Sequence, residues 1–217
     1  MITPDLIAKR FTEEFVGHRL IDNNLRGYWC EVMVAEALGE KCKLVSGGWH
    51  AWDLQIGPDN AACPERIRIQ VKNSANLQTW QIGTSKRSDP SFNLTYRKKP
   101  SFFDRDSPEM PCEEQGFLCD VFVLCLHSWD DENTIASADH RDPDQWKFYI
   151  CPVVGPNSSV SEQELKRLDK KVSSGSRSAS LQRKPKTLEQ GIRGRKPIVP
   201  VGIKDLTIEL VRSSLLA

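Results

Sequence analysis

The stretch Arg66-Ile67-Arg68-Ile69-Gln70-Val71-Lys72-Asn73 predicts the strand around which the rest of the chain is arranged. Apolar and polar residues alternate in it, so its isoleucines and valine face one way while Arg68, Gln70 and Lys72 face the other. Such alternation is typical of a strand with one buried face. An ordinary half-exposed antiparallel strand shows the same pattern, so this stretch alone predicts local structure and no function.

A second strand is predicted upstream, over residues 51–56, and it contains an aspartate. Alternation places Asp53 and Gln55 on one face of that strand and three apolar residues on the other, namely Trp52, Leu54 and Ile56. Aspartate is disfavoured inside strands, so Asp53 needs an explanation. Either it has a chemical role, or it accepts hydrogen bonds from local backbone groups at a strand end.

A helix predicted over residues 26–38, ended by Gly39, carries a second acidic residue of interest. Residues three, four and seven apart share a helix face, so Glu31 is aligned with Val34 and Leu38. A carboxylate on this apolar stripe is costly if it is buried without a partner. Glu31 is therefore expected to hold a metal ion or a cation, or else to form a structural ion pair at the edge of the stripe.

In the order helix Glu31, strand Asp53 and strand Gln70-Val71-Lys72, these residues resemble the active-site signature of the PD-(D/E)xK nuclease superfamily. Glutamine in place of the second acid is similar to the Mrr-like branch. The resemblance covers about residues 20–152, and Trp52 stands where many members have proline. It implies an α/β protein of restriction-endonuclease-like fold, with a mixed central sheet flanked by helices.

The resemblance also implies an activity and a set of site residues. It implies a Mg²⁺-dependent endonuclease, with Mn²⁺ as a substitute ion, that hydrolyses DNA phosphodiester bonds, in restriction or defence rather than repair. Glu31, Asp53, Gln70 and Lys72 are then catalytic, and the metal ligands are Asp53, Gln70, the main chain of Val71, and Glu31. Oxygen ligands suit a hard divalent ion, and the Lys72 ammonium can neutralise charge that develops on phosphate.

Gln70 leaves alternatives open, because it removes one negative charge from the implied site. The chain could instead be a nucleic-acid-binding protein of the same fold without turnover, a nuclease that cuts RNA, or a repair enzyme. Many enzymes of this fold act as dimers, so a homodimer is implied as well. His50, three residues before Asp53, is interpreted as a structural or exposed histidine rather than a general base.

Charge is segregated along the chain, although the net charge is only +1. Residues 104–144 carry twelve aspartates and glutamates, and residues 166–196 carry eleven lysines and arginines. Segregation of this kind usually marks a surface for a polyanionic partner, here DNA. The alternative is that both segments are solvated and bind no partner. The predicted nucleic-acid-binding residues are Asn73, Ser74, Lys86, Arg177, Arg183, Lys184 and Lys186.

The chain is divided into a core domain over residues 1–172, a basic serine-rich linker or arm over 173–187, and a C-terminal segment over 188–217 that packs on the core. The most apolar run, 117–127, is expected to be a central strand. Seven scattered cysteines without a Cys-x-x-Cys pair indicate reduced thiols and a cytoplasmic protein without a zinc site. No long apolar run or phosphate-binding glycine loop is present, which argues against a membrane span and a nucleotide cofactor.

Overall fold

The computed structural model describes residues 2–45, 50–58, 65–84, 86–98, 115–128, 137–155, 158–192 and 195–216. The Gly47-Gly48 turn and two parts of the acidic stretch, residues 104–114 and 129–136, lie outside these ranges. The helices are α1 (Pro4–Phe15), α2 (Asn23–Leu38), α3 (Glu162–Ser173), α4 (Pro185–Glu189) and α5 (Ile208–Leu216). The strands are β1 (Cys42–Leu44), β2 (Leu54–Ile56), β3 (Ile67–Ala75), β4 (Phe92–Arg97), β5 (Val121–His127), β6 (Trp146–Pro152) and β7 (Ser178–Arg183).

Five strands form the central sheet in the order β1-β2-β3-β5-β6. Strands β3 and β5 run parallel, and each of the other neighbouring pairs is antiparallel. The remaining two strands, β4 and β7, pair with each other as a separate antiparallel ribbon. The predicted class, an α/β protein with a mixed central sheet flanked by helices, is confirmed.

Strands β3 and β5 have the burial that their sequences predict. In β3 the apolar residues from Ile67 to Val71 are buried and the polar residues between them are half-buried. All seven residues of β5 are buried, as expected for an apolar strand inside a sheet. The predicted strand began at residue 117, whereas β5 begins at Val121. Asp120 precedes it and forms an ion pair of 2.9 Å with Arg68.

Two apolar layers cover the two faces of the central sheet. On one face, α2 packs through Cys30, Val34 and Leu38 against β3 and β5, and the C-terminal Ile208 and Val211 join the same core. On the other face, the inner side of the β4–β7 ribbon and α3 pack against Phe122, Leu124 and Leu126. Because β5 contributes alternate residues to both layers, it lies at the centre of the molecule.

Helix ends follow the expected capping chemistry. The Thr3 hydroxyl accepts the Leu6 N–H at the start of α1, as predicted. Helix α2 begins before residue 26, where it was predicted, because the Asp22 carboxylate caps it by accepting the Asn24 N–H at 2.9 Å. It ends at the predicted Gly39, whose φ of 77° favours glycine. No helix among the residues with described structure is long and apolar enough to cross a bilayer.

The predicted face of Trp52 was wrong. Strand β2 begins only at Leu54, so alternation does not extend back to Trp52. Trp52 packs with Val45, Ala51 and Leu118 in a small separate cluster, whereas Leu54 joins the core under α2. The Trp52 indole N–H donates to the buried side chain of Gln55 at 3.3 Å, which places these two residues together.

The interpretation of residues 173–187 as a linker was also wrong. Residues Ser178–Arg183 form β7, whose alternate residues Ala179 and Leu181 are buried beneath the ribbon. The segment then continues into α4, in which Leu188 is fully buried. Its serines suggested a mobile chain, but Ser178 and Ser180 occupy outward positions of an amphipathic strand.

A buried polar cluster lies where β3 and β5 end together. The Arg26 guanidinium, only 1% exposed, donates to the side chains of Asn73, Gln78 and Asn23. The fully buried rings of His127 and His140 meet edge to face, with centroids 4.7 Å apart. Burial, assisted by the nearby His127 and Arg26, lowers the pKa of His140 to about 3. Both histidines are therefore neutral in the folded protein near neutral pH.

We predict that His140 makes the fold acid-sensitive. Its folded pKa of about 3 lies below the unfolded value near 6.5, so the unfolded chain binds the proton first. Stability should therefore fall as pH drops from about 6.5 towards 3, by up to about 1.4 kcal/mol per pH unit. In chemical denaturation between pH 7 and 4, His140→Gln should show a shallower pH dependence than wild type. The exposed His18→Gln is the control, and parallel curves for wild type and His140→Gln would contradict the prediction.

Candidate active site

The site begins where β2 stops running beside β3. The last pair in their register is Leu54 with Ile69, so β3 continues past the start of β2. Asp53 occupies the position next to this edge. Its N–H donates to the Ile69 carbonyl at 3.0 Å, and its Oδ2 accepts the Val71 N–H at 2.8 Å. The Gln70 side-chain amide donates to the same oxygen. Asp53 is thus fixed to β3 by main-chain and side-chain bonds.

The Asp53 carboxylate lies in a largely desolvated position. Burial raises the pKa of Asp53, and the positive charge of Lys72 opposes that effect together with the bonds from Val71 and Gln70. A carboxylate that has lost most of its water gains strongly from a nearby cation. This position therefore favours a cation beside Asp53, and Lys72 supplies one positive charge.

A polar cleft of about 210 Å³ brings these side chains together. Asp53, Gln70 and Lys72 all line it, Gln70 and Lys72 from β3 and Asp53 from the residue that precedes β2. Thr95 and Arg97 of β4 line it from the ribbon. The remaining lining residues are His50, Ala51, Leu118, Cys119 and Phe122. Three of the four predicted catalytic residues therefore meet in one cleft.

The donors beside β3 suit a hard divalent cation. Asp53 offers a carboxylate, Gln70 offers an amide oxygen, and Val71 lies between the two cleft positions of the strand. In the arrangement described, Gln70 turns its amide nitrogen towards Asp53. Rotation of that amide about its last bond would present the oxygen instead. The residues with described positions include no group of three or more His, Cys, Asp or Glu for a metal, so amide and main-chain oxygens would complete the ligand set.

Glu31 is not among the residues that line the cleft. Its charge contributes, after burial and Cys30, to raising the pKa of Cys125, a thiol of the core beneath α2. Lys72 is the only ionised side chain among the causes that shift the pKa of Asp53. The helix that carries Glu31 packs on the face of β3 opposite to Gln70 and Lys72. The predicted fourth catalytic residue is thus placed apart from the other three.

The predicted nucleic-acid-binding residues divide into two groups. Lys86, Arg177 and Lys186 are exposed, and Lys184 is paired with Asp89 at the surface. Asn73 and Ser74 are used internally, since they accept hydrogen bonds from Arg26 and from the Ser91 N–H.

Arg183 does not point to solvent as the linker interpretation required. Its side chain is 4% exposed and forms an ion pair of 2.7 Å with Glu164. It also donates to the Ser159 carbonyl at 2.7 Å. Arg183 falls at an inward position of β7, which explains why a basic residue is buried there.

Three residues of the cleft were missed or given another role from the sequence. Thr95 and Arg97 could not be assigned, because the packing of β4 beside β3 is a long-range contact. His50 was interpreted as structural or exposed, yet it lines the cleft with a buried Nδ1 that has no hydrogen-bond partner among the described residues. Its spacing from Asp53 was the available signal.

The comparisons with known proteins yield little similarity. No family model and no curated protein sequence matches this chain. Among solved structures, a bacterial homing endonuclease, I-Ssp6803I, is similar over 73% of this chain and 76% of its own, with 14% sequence identity and a TM-score of 0.29. So low a TM-score carries no argument, so the assignment of function depends on the site residues themselves.

We predict that Asp53→Asn stabilises the fold near neutral pH. The raised pKa of Asp53 means that folding disfavours its ionised form, and asparagine removes that cost. The cost disappears as pH falls below the folded pKa of Asp53. The difference in unfolding midpoint between Asp53→Asn and wild type should therefore be largest near pH 7 and should shrink towards zero in acid. Thermal unfolding of both proteins from pH 7 to 3 measures it.

The matched control is Asp120→Asn, which weakens a paired carboxylate. Asp120 accepts the Arg68 N–H and its guanidinium, so this variant should lose about 1 to 3 kcal/mol of unfolding free energy. If Asp53→Asn is destabilising to the same extent as Asp120→Asn at neutral pH, the view of Asp53 as a desolvated, functionally retained carboxylate is wrong.

Proposed function

We propose that this protein is a metal-dependent endonuclease that hydrolyses phosphodiester bonds of DNA. The observation that carries the proposal is the meeting of a buried carboxylate, an amide and an ammonium in one polar cleft, at the edge that β3 exposes beyond β2. Asp53, Gln70 and Lys72 supply these groups. Gln70 and Lys72 lie two positions apart on β3, and Asp53 is bonded to Val71 between them, so the fold holds the three groups at fixed spacing.

Mg²⁺, or Mn²⁺ in its place, would be held by the Asp53 carboxylate and the Gln70 amide oxygen, with the main chain of Val71 alongside. The ion supplies Lewis acidity towards phosphate and offsets negative charge in the transition state. Asp53 needs no large movement for this role, because the Val71 N–H already fixes its Oδ2. Gln70 needs a rotation of its amide.

Lys72 is proposed to bind and orient the phosphate. Its compact ammonium lines the same cleft as Asp53, and its charge opposes the rise in the pKa of Asp53 that burial causes. Positive charge at this point is worth more in a desolvated cleft than in water, and it opposes the charge that builds on phosphate oxygens during hydrolysis. Arg97 brings a second positive charge to the same cleft from β4.

DNA is proposed as the partner because exposed cations surround the ribbon beside the cleft. Lys166, Arg167, Lys170 and Lys171 lie on the outer side of α3, whose inner side buries Leu168 and Val172. Phosphate contacts from such cations give affinity without sequence preference. Two copies of the chain, each with one such site, would be needed to cut both strands of a duplex together.

A second candidate is a DNA-binding protein of this fold without turnover. The observation in its favour is that, among the described residues, Asp53 is the only carboxylate that lines the cleft, and Glu31 is not one of the lining residues. A site with one formal negative charge holds a divalent ion less firmly than a site with two. Metal-dependent cleavage separates the two candidates.

We expect Asp53→Ala and Lys72→Ala each to reduce cleavage of supercoiled plasmid DNA in Mg²⁺ by about a hundredfold or more. EDTA should abolish the wild-type activity. The controls are Asp5→Ala and Lys9→Ala, which change the same residue types on the exposed helix α1. Unaltered thermal unfolding of Lys72→Ala would show that the loss is not due to unfolding. Wild-type turnover in either cleft variant would refute the site assignment.

We expect Gln70→Glu to shift the Mg²⁺ dependence of cleavage to lower concentration, by about tenfold, because it adds a negatively charged oxygen ligand. A titration of plasmid cleavage against Mg²⁺ measures the midpoint for each protein. The exposed Gln163→Glu on α3 adds the same charge away from the cleft and should leave the midpoint unchanged. An unchanged midpoint for Gln70→Glu would place Gln70 away from the ion.

A further inference from the structure

The outer face of the β4–β7 ribbon is a polar surface that extends beyond the site described above. Alternate residues of both strands point inward to the core, beginning with Phe92 on β4 and Ala179 on β7. The residues between them point outward. They form three cross-strand pairs, Asn93 with Gln182, Thr95 with Ser180, and Arg97 with Ser178.

This outer face is continuous with the cleft. Thr95 and Arg97 belong to both surfaces, since they are outward residues of β4 and also line the cleft with Asp53 and Lys72. A polymer that places one phosphodiester group in the cleft would therefore have the ribbon face beside it. The face is thus suited to the part of the polymer next to the scissile bond.

The side chains of the face match the edges of DNA bases. Asparagine and glutamine form paired hydrogen bonds with adenine in the major groove, arginine pairs with guanine, and serine and threonine bond either kind of base. Each of these residue types stands on the face, and no outward position is apolar or acidic. Asn93 is exposed, and the exposed Gln182 side chain donates to the Ser91 hydroxyl at 3.1 Å.

The dimensions fit as well. The major groove admits a two-stranded antiparallel ribbon. Outward residues repeat every second position, about 6.8 Å apart, which is about two base-pair steps of 3.4 Å. Three cross-strand pairs would then span about four to five base pairs.

Cations lie at both ends of the ribbon, where it would leave the groove and approach phosphates beyond the base pairs that the face covers. At one end, the Lys98 N–H donates to the carbonyl of Arg177, which brings these two basic residues together beside Arg97. At the other end stands Lys184, directly after β7, and Lys186 follows it on α4. Positive charge at both ends of a polar, hydrogen-bonding face complements the phosphates on either side of the base pairs that it would cover.

We propose that the outer face of the β4–β7 ribbon enters the major groove of duplex DNA and reads its sequence, with Asn93 and Gln182 bonding base edges while the adjacent cleft holds the phosphodiester. This deepens the proposed function and rests on DNA being its substrate. The proposed partner is duplex DNA and not duplex RNA, because the major groove of duplex RNA is too deep and narrow for side chains to read.

The test is selection from duplex DNA with a randomised central segment, bound in Ca²⁺ and then sequenced. It compares wild type, the double variant Asn93→Ala with Gln182→Ala, and a control that removes an exposed asparagine and glutamine elsewhere, Asn24→Ala with Gln163→Ala. Wild type and control should enrich the same sequence. The ribbon variant should lose discrimination at the positions read by the amides, by about tenfold or more per contact.

Affinity for non-preferred DNA and its dependence on salt should be similar in all three proteins, because phosphate contacts carry that part of binding. The three thermal unfolding midpoints should agree, since the substituted side chains are exposed. Duplex RNA of the enriched sequence should compete poorly with the DNA.

Several results would overturn the proposal: no enriched sequence with wild type, the same enrichment with the ribbon variant, or equal competition by duplex RNA. Plasmid cleavage in Mg²⁺, measured in parallel, separates this proposal from the nuclease proposal. Cleavage without sequence preference refutes reading by the ribbon and supports the nuclease. Enrichment that depends on Asn93 and Gln182, without cleavage under any divalent ion, supports the ribbon and refutes the nuclease.

Discussion

The parallel pairing of β3 with β5 is the constraint on which the rest of the structure depends. It runs from Ile69 with Val121 to Ala75 with His127, without interruption. Because β5 is buried on both faces, helix α2 and the C-terminal helix cover one side of the pair and the ribbon with α3 covers the other. Gln70 and Lys72 of β3 consequently face the ribbon, and this decides that the cleft forms between β3 and β4 rather than under α2.

The cleft owes its chemistry to the early end of β2. If β2 continued alongside Val71, a main-chain carbonyl would take the N–H that the Asp53 carboxylate accepts instead. A buried carboxylate in place of a main-chain carbonyl is costly for folding. Burial raises the pKa of Asp53, which means that folding disfavours its charged form. Residues that weaken the fold while gathering charge in a cleft are characteristic of functional sites. Asp120 provides a contrast, because this aspartate is paired with Arg68 and stabilises the fold.

Local patterns predicted much of the fold and part of the site. Alternation in β3, the apolar run of β5 and the caps of α1 and α3 were readable because each depends on neighbours in sequence. The cleft-lining Asp53, Gln70 and Lys72 were predicted from their order along the chain. Placements that depend on long-range packing could not be predicted. Serine-rich β7 was interpreted as a linker because its partner β4 is 80 or more residues away, and Glu31, predicted as part of the site, is not among the residues that line the cleft.

The central claim is that the edge of β3 beyond β2 is a divalent-metal site for phosphodiester chemistry. Crystals of the protein grown with Mn²⁺ test it most directly, because the anomalous signal of manganese locates the ion independently of the rest of the density. The account predicts a peak within coordination distance of the Asp53 carboxylate and the Gln70 amide oxygen, with the amide rotated from its bond to Asp53. A peak elsewhere, or an Asp53 that keeps both N–H donors in saturating Mn²⁺, would contradict it.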